Sequence, residues 1–163
     1  MRYLLGALAA AGISLTGLIK GRSLTLKCET LNQIIRFLKE FRSRIEYSEE
    51  PVSVIIEKFC AGSIRLSFAD KCLGYMQEQD FPSAWEKAVG EEKNIDYSDR
   101  LLLYEFGVNI GTSDRKSQLS MIDYMLSRFA MSLNEKKEKE KNEKRLYCVT
   151  GITLGILAFI MII

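Results

Sequence analysis

The chain has 163 residues, about one domain's worth, yet its composition is not that of one soluble domain. Of its charged side chains only Arg2 lies outside residues 20–145, and that middle holds 22 Lys/Arg against 21 Asp/Glu. A polar middle between two uncharged ends argues against a plain cytosolic enzyme and against a polytopic transporter, and a net charge near zero argues against nucleic-acid binding. The absence of histidine excludes Ser/His/Asp and Cys/His triads and His-liganded zinc. Cys28, Cys60, Cys72 and Cys148 form no CxxC pair, so no metal or redox centre is expected, and no cofactor.

In chain order, residues 3–19 come first, 17 positions without a charge, and residues 146–163 come last, with 18. At ~1.5 Å per residue they reach about 26 and 27 Å, close to the ~30 Å hydrocarbon core of a bilayer. Arg2, Lys20, Lys144 and Arg145 can snorkel at their ends, and Tyr3 and Tyr147 stand where interfacial aromatics belong. Both runs are therefore expected to be transmembrane helices. The first is read as a retained anchor because cleavage at its small residues would leave too short an apolar core. Lysines and arginines cluster on the inner side of both runs, so the positive-inside rule puts the middle in the cytosol and both termini outside. Gly151 and Gly155, and Gly6 with Ala10, have the small-xxx-small spacing that lets membrane helices approach, within one chain or in a homo-oligomer.

Between the spans the periodicity is helical throughout. From Leu24 to Tyr47 the apolar residues Leu31, Ile34, Leu38, Phe41 and Ile45 step 3, 4, 3, 4, the signature of a one-faced helix. Glu49-Glu50-Pro51 starts a second helix with Val52, Ile55, Ile56 and Phe59 inward, ending at Gly62. A third, about Ser63 to Gln79, buries Ile64, Phe68, Cys72 and Met76. Asp80-Phe81-Pro82 opens a short helix carrying Trp85, Ala88 and Val89 to Gly90. After a loop over 91–97, Ser98-Asp99 is expected to cap a helix bearing Leu102, Leu103 and Phe106. Gly111 breaks it, and Thr112-Ser113-Asp114 offers three N-caps for the last helix.

That last helix repeats the 3, 4, 3, 4 stripe with Leu119, Ile122, Leu126, Phe129 and Leu133, and the stripe is expected to stop at Lys136 and Glu140. Residues 134–145 are then a charged stalk about 18 Å long. Because the first cytosolic helix leaves the membrane and the last returns to it, matched stripes must pack antiparallel. The expected fold is all-α: transmembrane helices at 3–19 and 146–163 flank a cytosolic antiparallel bundle at 20–133 and the stalk at 134–145.

The run Phe106-Gly107-Val108-Asn109-Ile110-Gly111-Thr112-Ser113-Asp114-Arg115-Lys116-Ser117-Gln118 resembles the FGxxLGxSDxxxQ stretch of the stage III sporulation protein AB family. Ile45-Glu46-Tyr47-Ser48-Glu49-Glu50-Pro51 and Ser83-Ala84-Trp85-Glu86-Lys87-Ala88 resemble two further segments of that family. Ile110 and Val52 depart from it, each standing where leucine is usual. The resemblance implies a membrane scaffold of the mother cell in endospore formers, related to the type II secretion inner-membrane platform protein F. It implies as partners the sporulation ATPase AA and other membrane proteins of the stage III complex. Glu46, Tyr47, Ser113, Asp114 and Gln118 are the candidate partner-binding residues, with a helix stop and cap as the plain structural reading of Ser113 and Asp114. Two other readings compete: a platform protein of a secretion system outside sporulation, and a membrane enzyme using Cys60 or Cys72 as nucleophile, its thiolate favoured by lysine or arginine.

Overall fold

The computed structural model describes the backbone of residues 2–47, 54–55, 58, 66–110 and 112–162. Side chains at 2–22, at Ser67 and at most positions after 146 lie outside the description. Among the described residues the structure is all-helical: α1 (Arg2–Tyr47), α2 (Ser67–Tyr75), α3 (Phe81–Gly90), α4 (Tyr97–Asn109) and α5 (Arg115–Ile162). The helix expected from Pro51 to Gly62 lies mostly outside the described residues; Ile55 within it is helical and 1% exposed. Among the described residues no helix is long and apolar enough to cross a membrane. The backbone is helical through 3–19 and 146–162, but most side chains there fall outside the description, so the two spans stay an expectation from the sequence.

The chain divides into two compact units, Met1–Cys28 with Asn134–Ile163, and Glu29–Leu133. The second holds the core. Leu31, Ile34, Leu38, Phe41 and Ile45 on α1 are all buried, as the 3, 4, 3, 4 spacing requires, with Phe37 beside them. On α5, Ile122, Phe129 and Leu133 are buried, and Met125 takes the place expected of Leu126, which is only half-buried. Arg42 on α1 meets Asp123 on α5, and Arg115 at the start of α5 meets Glu46 near the end of α1. Residue numbers fall on one helix as they rise on the other, so the two run antiparallel in this unit.

Trp85 anchors the short helices. Its indole is fully buried among Phe37, Phe68, Phe81 and Phe106, with ring centroids 5.8, 5.4, 5.6 and 5.1 Å away. Its Nε1–H donates to the Leu103 carbonyl oxygen at 2.6 Å, satisfying the polar edge of an otherwise apolar ring. α3 starts where Pro82 fits the first turn, and Ala84, Trp85, Ala88 and Val89 make its inner face. Gly107 lets α4 pass under the indole: a Cβ there would lie 2.3 Å from Trp85 Cδ1. Phe68 and Cys72 on α2 are buried as expected, but α2 begins at Ser67 and ends at Tyr75, shorter than the periodicity suggested.

Two local expectations need correction. Asp99 does not cap α4. That helix starts at Tyr97 behind Asp96, and Asp99 turns inward, 3% exposed, where its Oδ2 accepts the Ser132 hydroxyl of α5 at 2.9 Å. An aspartate in the first turn still suits the positive end of the helix dipole, which is why sequence preference alone could not tell the two placements apart. The core stripe of α5 also does not end at 136. Lys136, in the first unit, is 8% exposed, so its charge does not keep it at the surface. There Glu140, one turn further on, accepts the Thr25 hydroxyl at 2.8 Å. The loop between α3 and α4 is held from inside by Arg100, whose Nη2 donates to the Glu92 carbonyl oxygen at 2.6 Å.

Candidate functional site

α1 ends at Tyr47 and α5 begins at Arg115, so the antiparallel pairing brings the two halves of the candidate site to one end of the second unit. Their junction is made by two arginines. Arg42 lies one turn before the end of α1, and its guanidinium grips Asp123 of α5 with two parallel donors, Nε to Oδ1 at 2.7 Å and Nη2 to Oδ2 at 3.3 Å. Its third nitrogen, Nη1, donates to Glu46 Oε2 at 2.6 Å. A planar fork matched to a carboxylate fixes direction as well as distance, which a lysine could not do. Asp123 first and Glu46 second keep the guanidinium protonated. From the other side, Arg115 Nη2 donates to the backbone carbonyl oxygen of Glu46, an acceptor left open by the end of the helix.

Asp114 is the working N-cap of α5. Its Oδ1 accepts the Ser117 hydroxyl at 2.5 Å and its Oδ2 accepts the Ser117 backbone N–H at 3.2 Å. Those two bonds, the hydroxyl above all, hold the Asp114 carboxyl below the ordinary aspartate range. Ser113, one position earlier, contributes its carbonyl oxygen, which accepts the Gln118 side-chain amide at 2.8 Å. Gln118 thus folds back over the entry turn of α5, although its spacing from Ser113 is not that of a capping box.

Of the five predicted residues, the structure brings Glu46 against the Arg115 side of the entry turn and ties Ser113, Asp114 and Gln118 into that turn. Tyr47 stands apart from the network, 83% exposed at the last position of α1. Sequence reading missed Arg42, Asp123 and Arg115. The i, i+4 spacing of Arg42 and Glu46 was a usable signal; the 81-residue separation of Arg42 from Asp123 was not.

Cys72 is buried in the second unit and Cys28 in the first, while Cys60 lies outside the described residues. Burial first, then the Glu140 carboxylate, pushes the Cys28 thiol up, the opposite of the shift that makes a nucleophilic thiolate. Among the described residues no group of three or more Cys, Asp or Glu is placed to hold a metal ion.

A solved structure described as stage III sporulation protein AB (SpoIIIAB) superposes with a TM-score of 0.57 at 18% identity, covering 72% of this chain and 98% of that one. At that identity the likeness concerns the fold. No curated protein matches the chain. The family model for stage III sporulation protein AB matches residues 2–163, taking in the helical bundle, its cross-tied end and both apolar runs. The chain belongs to the stage III sporulation protein AB family.

Proposed function

We propose that this chain is a non-catalytic scaffold of a sporulation channel complex. Its bundle stands in the mother-cell cytosol and docks an ATPase, while its two apolar ends hold it in the membrane facing the forespore, with both termini outside and other membrane proteins of the complex as neighbours. The observation that carries this reading is the cross-tied end of the second unit. Arg42, Asp123, Glu46 and Arg115 are bound to one another, and Asp114 and Gln118 are tied to Ser117 and Ser113 within the entry turn of α5, so the geometry of this end is set before any partner arrives. Preorganised surface loses little entropy on binding, and Tyr47, 83% exposed on this fixed edge, is the type of residue that anchors an interface.

The membrane reading is supported by the uncharged runs of 17 and 18 residues. It is also supported by the threonines of the second run. Thr150 and Thr153 hand their hydroxyl protons to the Leu146 and Val149 carbonyl oxygens at 2.7 Å, so neither needs water. The non-catalytic reading rests on the lack of histidine and on the buried, protonated setting of Cys28.

The test is a binding titration of the full chain in detergent micelles against the stage III ATPase. The expected result is saturable binding that Tyr47→Ala weakens about tenfold or more, the scale of a lost anchor, with an unchanged melting temperature. Absence of binding from low to physiological salt would contradict the docking role.

A further inference from the structure

In the first unit, α5 carries lysines at 136, 137, 139, 141 and 144. Three are accounted for. Lys139 pairs with Glu135 at 2.7 Å, Lys144 pairs with Glu140 at 2.8 Å, and Lys136 is drawn inward. Lys137 and Lys141 are exposed, and neither has an ion-pair partner among the described residues. At i, i+4 they are surface neighbours on one face of the helix, where like charges repel.

Together with Glu140 and Lys144 they line an open groove of about 440 Å³. The one carboxylate in it is already committed: Glu140 accepts from both Lys144 and Thr25 at 2.8 Å, and those bonds keep it ionised. The groove therefore offers two cations without an ion-pair partner among the described residues beside an acidic group already engaged, a setting for a compact anion. Lys141 precedes the uncharged run at Leu146 by five residues, about 7.5 Å at ~1.5 Å per residue. That distance is within the combined reach of a lysine side chain and a lipid headgroup.

We infer that the Lys137–Lys141 groove binds a phosphate group, with Lys137 and Lys141 as its two donors. A lipid headgroup and a soluble phosphate compound share that chemistry; the lipid source rests on the membrane placement proposed above, whereas the site itself does not.

The experiment uses the full chain in zwitterionic micelles with its lysines reductively methylated with carbon-13, which keeps their charge. It is titrated separately with short-chain phosphatidylglycerol and with inorganic phosphate. Saturable shifts of the Lys137 and Lys141 signals are expected. The pair Lys137→Gln and Lys141→Gln should weaken binding roughly tenfold or more, as the loss of two charge-assisted contacts implies. The charge-matched pair Lys116→Gln and Lys139→Gln should change it by less than about threefold, the scale of diffuse screening. Saturation by the lipid alone identifies a headgroup site; equal saturation by phosphate identifies a soluble ligand. Linear, unsaturable shifts with both probes, or equal weakening by the two variant pairs, overturn the site. Alkaline extraction of the same chain from vesicles reads membrane insertion separately, so failure of one idea is not mistaken for failure of the other.

Discussion

Replacing Gly107 by alanine tests the core at its tightest point. The new methyl carbon would sit 2.3 Å from Cδ1, 2.9 Å from Cγ and 3.1 Å from Nε1 of Trp85. None of these is the end of a flexible chain; all belong to one planar ring. The indole cannot slide away without disturbing four phenyl rings within 5.8 Å and stretching its 2.6 Å bond to the Leu103 carbonyl oxygen. Overpacking a filled core costs about 1–3 kcal/mol, and weakening a buried hydrogen bond adds about 1 kcal/mol. Against this, alanine gains up to ~1 kcal/mol of helix propensity over glycine. The net expectation is a loss of about 2 kcal/mol, or roughly 4–8 °C in melting temperature for a chain of this length. Because Trp85 is the single tryptophan, its emission reports the site directly. Thermal unfolding followed by Trp85 fluorescence in micelles should show the drop together with a red-shifted or quenched native spectrum. A variant as stable as the parent, with unchanged emission, would refute the packing described for α3 and α4.

Ser132→Ala should cost about 1–3 kcal/mol, because it removes a donor to the buried Asp99 carboxylate; Ser127→Ala, at an exposed position on the same helix, should fall within ~0.5 kcal/mol of the parent. Urea titrations of both variants make the comparison. Asp114→Ala should lower the melting temperature at neutral pH. Its carboxyl titrates lower in the folded chain than in the unfolded one, so the cap contributes fully above the unfolded value and is lost as pH falls through the folded one. The gap between parent and variant should therefore close as the pH drops below about 4, and a gap that persists in acid would assign the effect to something other than the cap.

The legibility of this fold follows from the range of the interactions involved. The α1 stripe was readable because Leu31 through Ile45 share one face and every member found the core. The α5 stripe was readable at Ile122, Phe129 and Leu133; Leu119 is only half-buried, and Met125 is buried in place of Leu126, since helix rotation about the axis, set by packing, chooses between such neighbours. Asp99 was misplaced because a first-turn aspartate satisfies the dipole whether it points outward or inward, and only Ser132, 33 residues away, decides. Lys136 was misread because a lysine is expected at the surface from its residue type alone, whereas here it is 8% exposed. At the candidate site, the local part was legible: the Asp114 cap and the ends of α1 and α5. The arginines that join those ends were not, since Arg42 and Arg115 act across 81 and 69 residues, a separation that no local pattern reports.

A photo-reactive phenylalanine analogue placed at position 47, in sporulating cells, tests the proposed role most directly. The scaffold account predicts an adduct with the stage III ATPase, and its loss when the ATPase is absent. It also predicts no ATPase adduct from the same probe at Tyr97, which is 74% exposed on α4 but outside the cross-tied end. Cross-linking from position 47 to proteins of the outer side of the membrane, with no ATPase adduct, would contradict both the docking surface and the orientation.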